Sequence, residues 1–381
     1  MKVLHVITSL SVGGAETMLR NVALGLDRAR YQSQVLSLTG KEPIGLDLER
    51  GGVAVTALHG RGGLLSPGQL ATARRALDAW QPDVIHAWMY HANVVAQWLA
   101  GRQRVPRRPA LITSVRGALN APRSQKRMLR LVRRVDALLS KRAAAILFNS
   151  NVAARQHIAL GYAQERVVVV PNGFDTERFR PRPELRARLR TDLQLASRVA
   201  VGVVARFDPL KGHHLFLRAA AEAARRREDC TFVLIGRGCD ADNATLQGWI
   251  AQLALGDRVR LLGERSDVAE LVNALDCVVC PSLSESFPNA VGEAMACAVP
   301  CIVTDVGDCA HLVGDAGWIV PPQDCAALAG AIERVAALSE QERQVMGNRA
   351  RARIEAQFAL DAIVAQYAAV YERALSAGSA G

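Results

Sequence analysis

The run Cys277-Val278-Val279-Cys280, followed by Pro281-Ser282-Leu283-Ser284-Glu285-Ser286-Phe287-Pro288-Asn289-Ala290-Val291-Gly292-Glu293-Ala294-Met295-Ala296, decides the reading of this chain. Four apolar residues bounded by turn formers read as a short strand buried on both faces. Pro288 can open a helix at its first turn, where a missing N–H costs nothing. Glu285 then lies in the loop, and Glu293 lies about two turns along the helix, among Ala and Met. A carboxylate in such surroundings is costly unless it is paired. A pair of sugar hydroxyls would suit it, because a carboxylate accepts two hydrogen bonds. Glu285 and the backbone after it could meet polar groups of the same ligand. The competing reading is a capping carboxylate at 285 and a core-edge glutamate at 293 paired with a local arginine.

Outward from this segment, strands and helices alternate in both directions. Apolar runs at Val199–Val204, Thr231–Ile235, Val259–Leu262, Cys301–Thr304 and Gly317–Val320 share the second half with helical stretches such as His213–Arg227. The first half repeats the pattern at Lys2–Thr8, Gln34–Leu38, Val53–Leu58, Val84–Ala87, Ala110–Ser114, Ala145–Asn149 and Val167–Val170. Strand-then-helix repetition predicts an α/β protein with two mainly parallel, doubly wound sheets. Two such domains facing across a cleft would gather ligands at the carboxyl ends of their strands. The predicted division is a Rossmann-like domain over residues 1–172, a second over 173–357, and a last helix with a frayed tail over 358–381. The segment from Pro171 to about Ser197, with Pro181 and Pro183 amid charge, reads as the junction.

Composition sets the bounds. A chain of 381 residues, half of them hydrophobic, can bury a large core without staples. No apolar run approaches the ~20 residues needed to span a membrane. The apolar start is interrupted by His5 and Thr8 and reads as a buried first strand rather than a leader. All eight cysteines lie in the second half, from Cys230 to Cys325. Cys277 and Cys280 have a metal-like spacing, but alternation in a buried strand explains them, and reduced thiols in a cytoplasmic protein are expected. The net charge of +11 favours an anionic partner, whether phosphate, nucleic acid or lipid surface. Nucleic acid is disfavoured, because aromatic residues make up only 5% and do not interleave with the basic ones.

Four further constellations carry chemistry. Gly13-Gly14-Ala15-Glu16 follows the first strand and opens a helix whose free N–H groups suit an anion, although a tight turn explains it equally. Arg206 and Lys211 follow Val199–Val204 at a predicted helix start, where cations oppose the helix dipole. A diphosphate would justify them, with Arg206 forking onto oxygens and Lys211 supplying a point charge; the alternative is a salt bridge to Asp208. His86 and His91 end a strand and open a helix, and Arg116 follows the next strand. The stretch 122–144 carries Arg123, Lys126, Arg127, Arg130, Arg133, Arg134, Lys141 and Arg142 beside an apolar stripe that includes Met128, Leu131 and Leu138. It suits either an anionic membrane surface or a helix whose stripe covers the sheet.

At this point the chain resembles the retaining nucleotide-sugar glycosyltransferases of the GT-B fold, family 4 type. The resemblance rests on Gly13-Gly14-Ala15-Glu16, Pro171-Asn172-Gly173-Phe174-Asp175, Arg206 with Lys211, Gly236-Arg237-Gly238, and Glu285 with Glu293. It implies that Arg206 and Lys211 hold the donor diphosphate and that Glu293 holds the ribose hydroxyls. Glu285, Ser286, Phe287, Pro288 and Asn289 would hold the sugar and phosphate. Gly14 would close over the diphosphate, and Gly236 and Arg265 would flank the donor. Many relatives carry a histidine two positions after His86. Here that position is Trp88, and His91 becomes the candidate for contact with the donor sugar or acceptor. Arg116 would orient the acceptor. The resemblance further implies metal-independent handling of the donor, and Asp240-Ala241-Asp242 reads as a polar loop. It also implies a UDP-sugar as the favoured donor, no cofactor, and a glycan or lipid-linked acceptor reached at the inner face of a membrane. A nucleotide-sugar epimerase and a non-catalytic nucleotide-sugar binder are the alternatives.

Overall fold

The structure, a computed structural model, describes residues 1–61, 65–101, 108–119, 127–195 and 197–378. The chain forms two compact units. Unit 1 comprises residues 1–173 and 360–381, and unit 2 comprises residues 174–359.

Unit 1 contains β1 (Lys2–Ile7), β2 (Gln32–Ser37), β3 (Ala54–Ala57), β4 (Val84–Trp88), β5 (Ala110–Val115), β6 (Ala145–Phe148) and β7 (Val167–Val169). They form one parallel sheet in the order β3-β2-β1-β4-β5-β6-β7. Unit 2 contains β8 (Val199–Val204), β9 (Cys230–Ile235), β10 (Val259–Leu261), β11 (Cys277–Cys280), β12 (Cys301–Thr304) and β13 (Gly317–Val320). Their order is β10-β9-β8-β11-β12-β13, again all parallel. Both are doubly wound α/β sheets, and every strand expected from the sequence is present. Helices cover both faces, so the central strands are largely apolar, with His5, His86, Thr113 and Ser114 as buried polar exceptions in unit 1. Val201, Phe232, Cys277 and Ile302 are all fully buried.

The strand order places the site of unit 2. β8 is flanked by β9 on one side and by β11 on the other, so the connections leave in opposite directions and a crevice opens at the carboxyl ends. Cys277 of β11 pairs with Val201 of β8, which sets the loop after Val204 beside the loop after Cys280. Unit 1 has the same switch between β1 and β4.

Several local readings change. The deciding helix spans Asn289–Ala296, with Pro288 one position earlier at the N-cap. The basic segment is a helix over Arg127–Leu139 that tightens into a 3₁₀ turn at Ser140–Arg142. Ser140 causes this break, since its hydroxyl donates to Ala137 O at 2.7 Å and accepts from Ala163 N at 3.0 Å. Pro122, Arg123 and Lys126 lie outside the described residues. The last helix, Leu360–Gly378, continues through Ser376, where a frayed tail was expected; residues 379–381 lie outside the described residues.

The junction segment is not a loose tether. Helix Pro183–Asp192 delivers Arg186 and Arg190 to the buried Asp276 at 2.6 and 3.0 Å, and Arg343 lies 3.5 Å away. The Ala200 N–H donates to the same carboxylate at 2.7 Å. A hollow of about 340 Å³ beside this cluster is lined by structural groups, far from the strand ends that carry the chemistry.

Candidate functional site

Two loops build the site of unit 2. After β8 the chain runs through Arg206 to a 3₁₀ turn at Pro209–Lys211, capped by the Asp208 side chain accepting from Leu210 N at 2.9 Å. Gly212 follows with φ +70, a left-handed conformation, and a side chain there would strike the carbonyl of Pro281. This close approach seats the first loop on the second. Leu283 N donates to Leu210 O at 2.8 Å and fastens them. Gly307 performs the same service from the other side, with φ +58 and its α-carbon packed on the carbonyls of Glu285 and Ser286. The Thr304 hydroxyl donates to Ser282 O at 2.6 Å and Asp308 N to Ser286 O at 3.0 Å.

Clamped between them, Lys211 Nζ meets Glu285 Oε1 at 2.6 Å. The Ser282 hydroxyl donates to the same oxygen at 2.8 Å. Burial works against the Lys211 charge, but the Glu285 carboxylate outweighs it and holds the ammonium above its ordinary value. Helix Asn289–Ala296 begins beside this pair, and its N-cap, Pro288, provides no side-chain cap. Lys211, Ser282, Glu285, Pro288 and Asn289 line a cavity of about 40 Å³ at the ends of β8 and β11. One small crevice thus gathers an ammonium, its paired carboxylate and the start of a helix whose N-cap residue offers no side-chain cap.

Arg206 is brought to the edge of this crevice but turned aside. Its guanidinium binds Asp208 Oδ2 at 3.1 and 3.3 Å, and its side chain is 57% exposed. The salt bridge to Asp208 that the sequence left open is therefore formed. Glu293 stands differently. No donor among the described residues reaches its carboxylate, and burial pushes the group up to about 7, opposed only by Arg178. Gly292 beside it is packed against the Phe174 ring, which stacks on Phe287 at 6.3 Å. Pro171–Asp175 thus supplies a ring that positions the helix carrying Glu293.

Gly236 follows β9, and its N–H donates to Gly263 O at 2.8 Å. Arg265 is exposed and held by Asp267 at 2.6 Å, so it does not reach into the crevice. Ser286 and Phe287 are buried. The sequence reading missed the roles of Ser282, Gly212 and Gly307; the signal was glycine next to each charged loop residue.

In unit 1, Gly14 starts helix Gly14–Gly25 with Gly13 extended at the N-cap and no side-chain cap. The Glu16 carboxylate folds back against Gly13, and its burial raises the Glu16 pKa. His91 is the second residue of helix Tyr90–Gly101, and burial lowers its pKa, which keeps the imidazole neutral. His86 is fully buried between Tyr371 Oη at 2.7 Å and Ser114 Oγ at 2.5 Å, which is a core role. Arg116 corrects its expectation. Its guanidinium donates to Tyr367 Oη at 2.5 Å and to Asn172, and lies over the Trp88 ring at 5.5 Å. These bonds fasten the last helix to the sheet, so Arg116 is committed within the fold.

Among the described residues no three His, Cys, Asp or Glu side chains converge in a metal-holding group. All eight cysteines are free thiols.

Two parallel, doubly wound sheets in one chain are the architecture of the GT-B class of sugar transferases. Comparison with known proteins bears on this directly. Residues 12–178 match the model for Glycosyltransferase Family 4, and residues 198–337 match the model for Glycosyl transferases group 1. The structure of Anabaena Alr3699/HepE in complex with UDP superposes with a TM-score of 0.84 at 26% identity, covering 97% of this chain and 98% of that one. The Bacillus subtilis protein EpsF, which bears a glycosyltransferase name, is 28% identical over 320 residues, covering 80% of this chain and 79% of its own. The D-inositol 3-phosphate glycosyltransferase of Mycobacterium tuberculosis strain F11 is 33% identical over 241 residues, 61% of this chain and 49% of that protein. Sucrose-phosphate synthase from Thermosynechococcus elongatus shares the fold, with a TM-score of 0.81 at 21% identity. This chain belongs to the group 1 glycosyltransferases of the GT-B fold.

Proposed function

We propose that this chain transfers a hexose or N-acetylhexosamine from a UDP-sugar to a glycan or lipid-linked acceptor, with retention at the anomeric carbon and without a metal. The observation that carries the reading is the clamped Lys211–Glu285 pair beside the start of helix Asn289–Ala296, which also carries Glu293, a carboxylate that no donor among the described residues reaches. The diphosphate would take the place that Asp208 and Glu285 hold against Arg206 and Lys211. The two ribose hydroxyls would donate to Glu293. Charge developing on the leaving diphosphate is then met by Lys211, by Arg206 once released from Asp208, and by the N–H groups at Asn289 and Ala290. Retention by front-face attack lets the leaving phosphate take the acceptor proton, so no side-chain base is required. His91, neutral through burial, suits a hydrogen bond to a sugar hydroxyl rather than a charged role. Relatives support the donor class, since Alr3699/HepE has been solved with UDP and with UDP-glucose.

Incubation with UDP-glucose and UDP-N-acetylglucosamine, with and without a lipid-linked glycan, tests this. Transfer yields UDP and a heavier acceptor. A new sugar nucleotide formed without acceptor would instead mark an epimerase, and no turnover a binder.

A membrane-facing surface forms part of the proposal. No described helix is long and apolar enough to cross a bilayer. Helix Arg127–Leu139 turns Asp136 inward, where it accepts from Asn93 Nδ2 at 2.9 Å and Tyr162 Oη at 2.7 Å. Its outward face is not purely basic, as Leu131 and Leu138 are 57% and 78% exposed beside the exposed Arg130, Arg134 and Lys141. Apolar residues set among cations suit the headgroup boundary of an anionic leaflet. Co-sedimentation with phosphatidylglycerol vesicles, but not with phosphatidylcholine vesicles, is expected; equal or no binding to both removes this part.

A further inference from the structure

A cavity of about 730 Å³ opens at the amino ends of the unit 1 strands, away from the carboxyl ends where doubly wound sheets gather their substrates. Its walls are mostly apolar: Leu111 lies at the start of β5, Ala144 just before β6, and Ala374 and Leu375 on the last helix. Arg108, Arg142 and Arg166 enter this hollow, with one buried amide, Gln97, and no acidic side chain among the described residues lines it. Gln97 belongs to helix Tyr90–Gly101 and is 5% exposed, yet neither its amide nitrogen nor its amide oxygen has a hydrogen-bond partner. A buried amide left in that state is costly and calls for a partner.

One hydroxyl sets two of the arginines side by side. Arg142 ends the 3₁₀ turn Ser140–Arg142 ahead of β6, and Arg166 ends the 3₁₀ turn Gln164–Arg166 ahead of β7. These strands are neighbours in the sheet. Ser140 Oγ accepts from Ala163 N, the N-cap of the second turn, at 3.0 Å, so the two turns are fixed to one another. Among the described residues no carboxylate comes within salt-bridge reach of Arg108, Arg142 or Arg166; the ion pairs of unit 1 lie elsewhere. Guanidinium groups gathered in this way repel one another, and an anion between them relieves the repulsion. Helices Tyr90–Gly101 and Leu360–Gly378 both end at the cavity, and their last carbonyls attract cations. Where this chain caps a helix end with arginine, however, the bonds are direct: Arg353 donates to His311 O and Leu312 O at 2.6 and 2.8 Å. No such bond holds Arg142 or Arg166 among the described residues.

From this geometry we propose that the cavity is a second ligand site, which binds a phosphate ester with an apolar body. The guanidinium forks of Arg142 and Arg166 match the oxygens of a tetrahedral phosphate, and Arg108 adds a third positive charge. Gln97 Nε2 donates to an oxygen of the ligand, and the alanine and leucine walls take its hydrocarbon part. A water molecule would satisfy the amide but would leave the guanidinium groups without a counter-charge. The headgroup of an anionic lipid and a soluble alkyl phosphate share this chemistry. The inference rests neither on sugar transfer nor on the outward face of helix Arg127–Leu139, because binding by that face does not need Arg142, Arg166 or Gln97.

Titration calorimetry on the full-length chain tests this, with hexyl phosphate and with dioctanoyl phosphatidylglycerol below its micellar concentration as probes. Saturable binding at one ligand per chain is expected. Binding of hexyl phosphate would show that a soluble ester suffices, and binding of the lipid alone would assign the site to a lipid headgroup. Arg142→Ala and Arg166→Ala should each weaken binding about tenfold or more, the scale of a lost hydrogen bond to a charged group. Both side chains are exposed, so these variants should melt at the parent temperature. Gln97→Leu should bind more weakly and yet melt higher, because it removes a buried amide without partners. Lys211→Ala should bind as the parent does, which separates this site from the donor crevice. The proposal is overturned if neither probe binds saturably, if binding survives the Arg142→Ala/Arg166→Ala double substitution, or if Lys211→Ala abolishes it.

Discussion

Lowering the pH from about 8 to about 6 should weaken UDP binding about tenfold through Glu293 alone. The carboxyl of this residue is pushed up to about 7 by burial in the unliganded site. Ribose hydroxyls donate to the ionised form, so nucleotide binding must expel the proton below that value. About nine-tenths of the molecules carry the carboxylate at pH ~8 and about one in eleven at pH ~6, which gives the tenfold factor. Affinity is therefore present above about pH 7 and lost as pH falls through it. The terminal phosphate of UDP also takes up a proton in this range, so Glu293→Gln is the control. It should bind about ten- to a hundredfold more weakly at pH ~8, because a hydrogen bond to a charged group is worth ~1.5–3 kcal/mol, and it should lose the Glu293 part of the pH dependence. Isothermal titration calorimetry in two buffers of different ionisation enthalpy reads both the affinity and the protons released. Parallel pH profiles for the two proteins would refute the assignment of Glu293 to the ribose.

Three other outcomes follow from the same geometry. Arg206→Ala should cut transfer by roughly a hundredfold or more, as expected for loss of one key donor to a developing charge, measured as steady-state rate with a matched acceptor. A chelator such as EDTA should leave the rate unchanged, whereas strict Mg²⁺ dependence would count against diphosphate neutralisation by Arg206 and Lys211. Asp276→Ala should destabilise unit 2 by ~3–5 kcal/mol in denaturant melts, because it strands Arg186 and Arg190 around an empty place.

How far the sequence carried the reading depends on the kind of interaction. The strands were legible because a doubly covered parallel strand is mostly apolar, and Val199–Val204 or Cys301–Thr304 can be little else. The loop-and-helix placement of Glu285 and Glu293 was legible because Pro288 marks the boundary. The partner of Arg116 was not legible, since Tyr367 is distant in sequence and only tertiary packing brings it near. Arg206 carried two readings because Asp208 is two residues away and always within reach. The outward turn of Leu131 and Leu138 escaped because a helix with apolar residues on two faces does not announce which one meets the sheet. Asp136 decides this by pointing inward to Asn93 and Tyr162.

A structure of the chain crystallised with UDP tests the central claim most directly. The account predicts the diphosphate against Lys211 and the N-terminus of helix Asn289–Ala296, Arg206 swung from Asp208 onto a phosphate oxygen, and both ribose hydroxyls on Glu293. UDP seated elsewhere, with Arg206 still on Asp208 and Glu293 untouched, would contradict it.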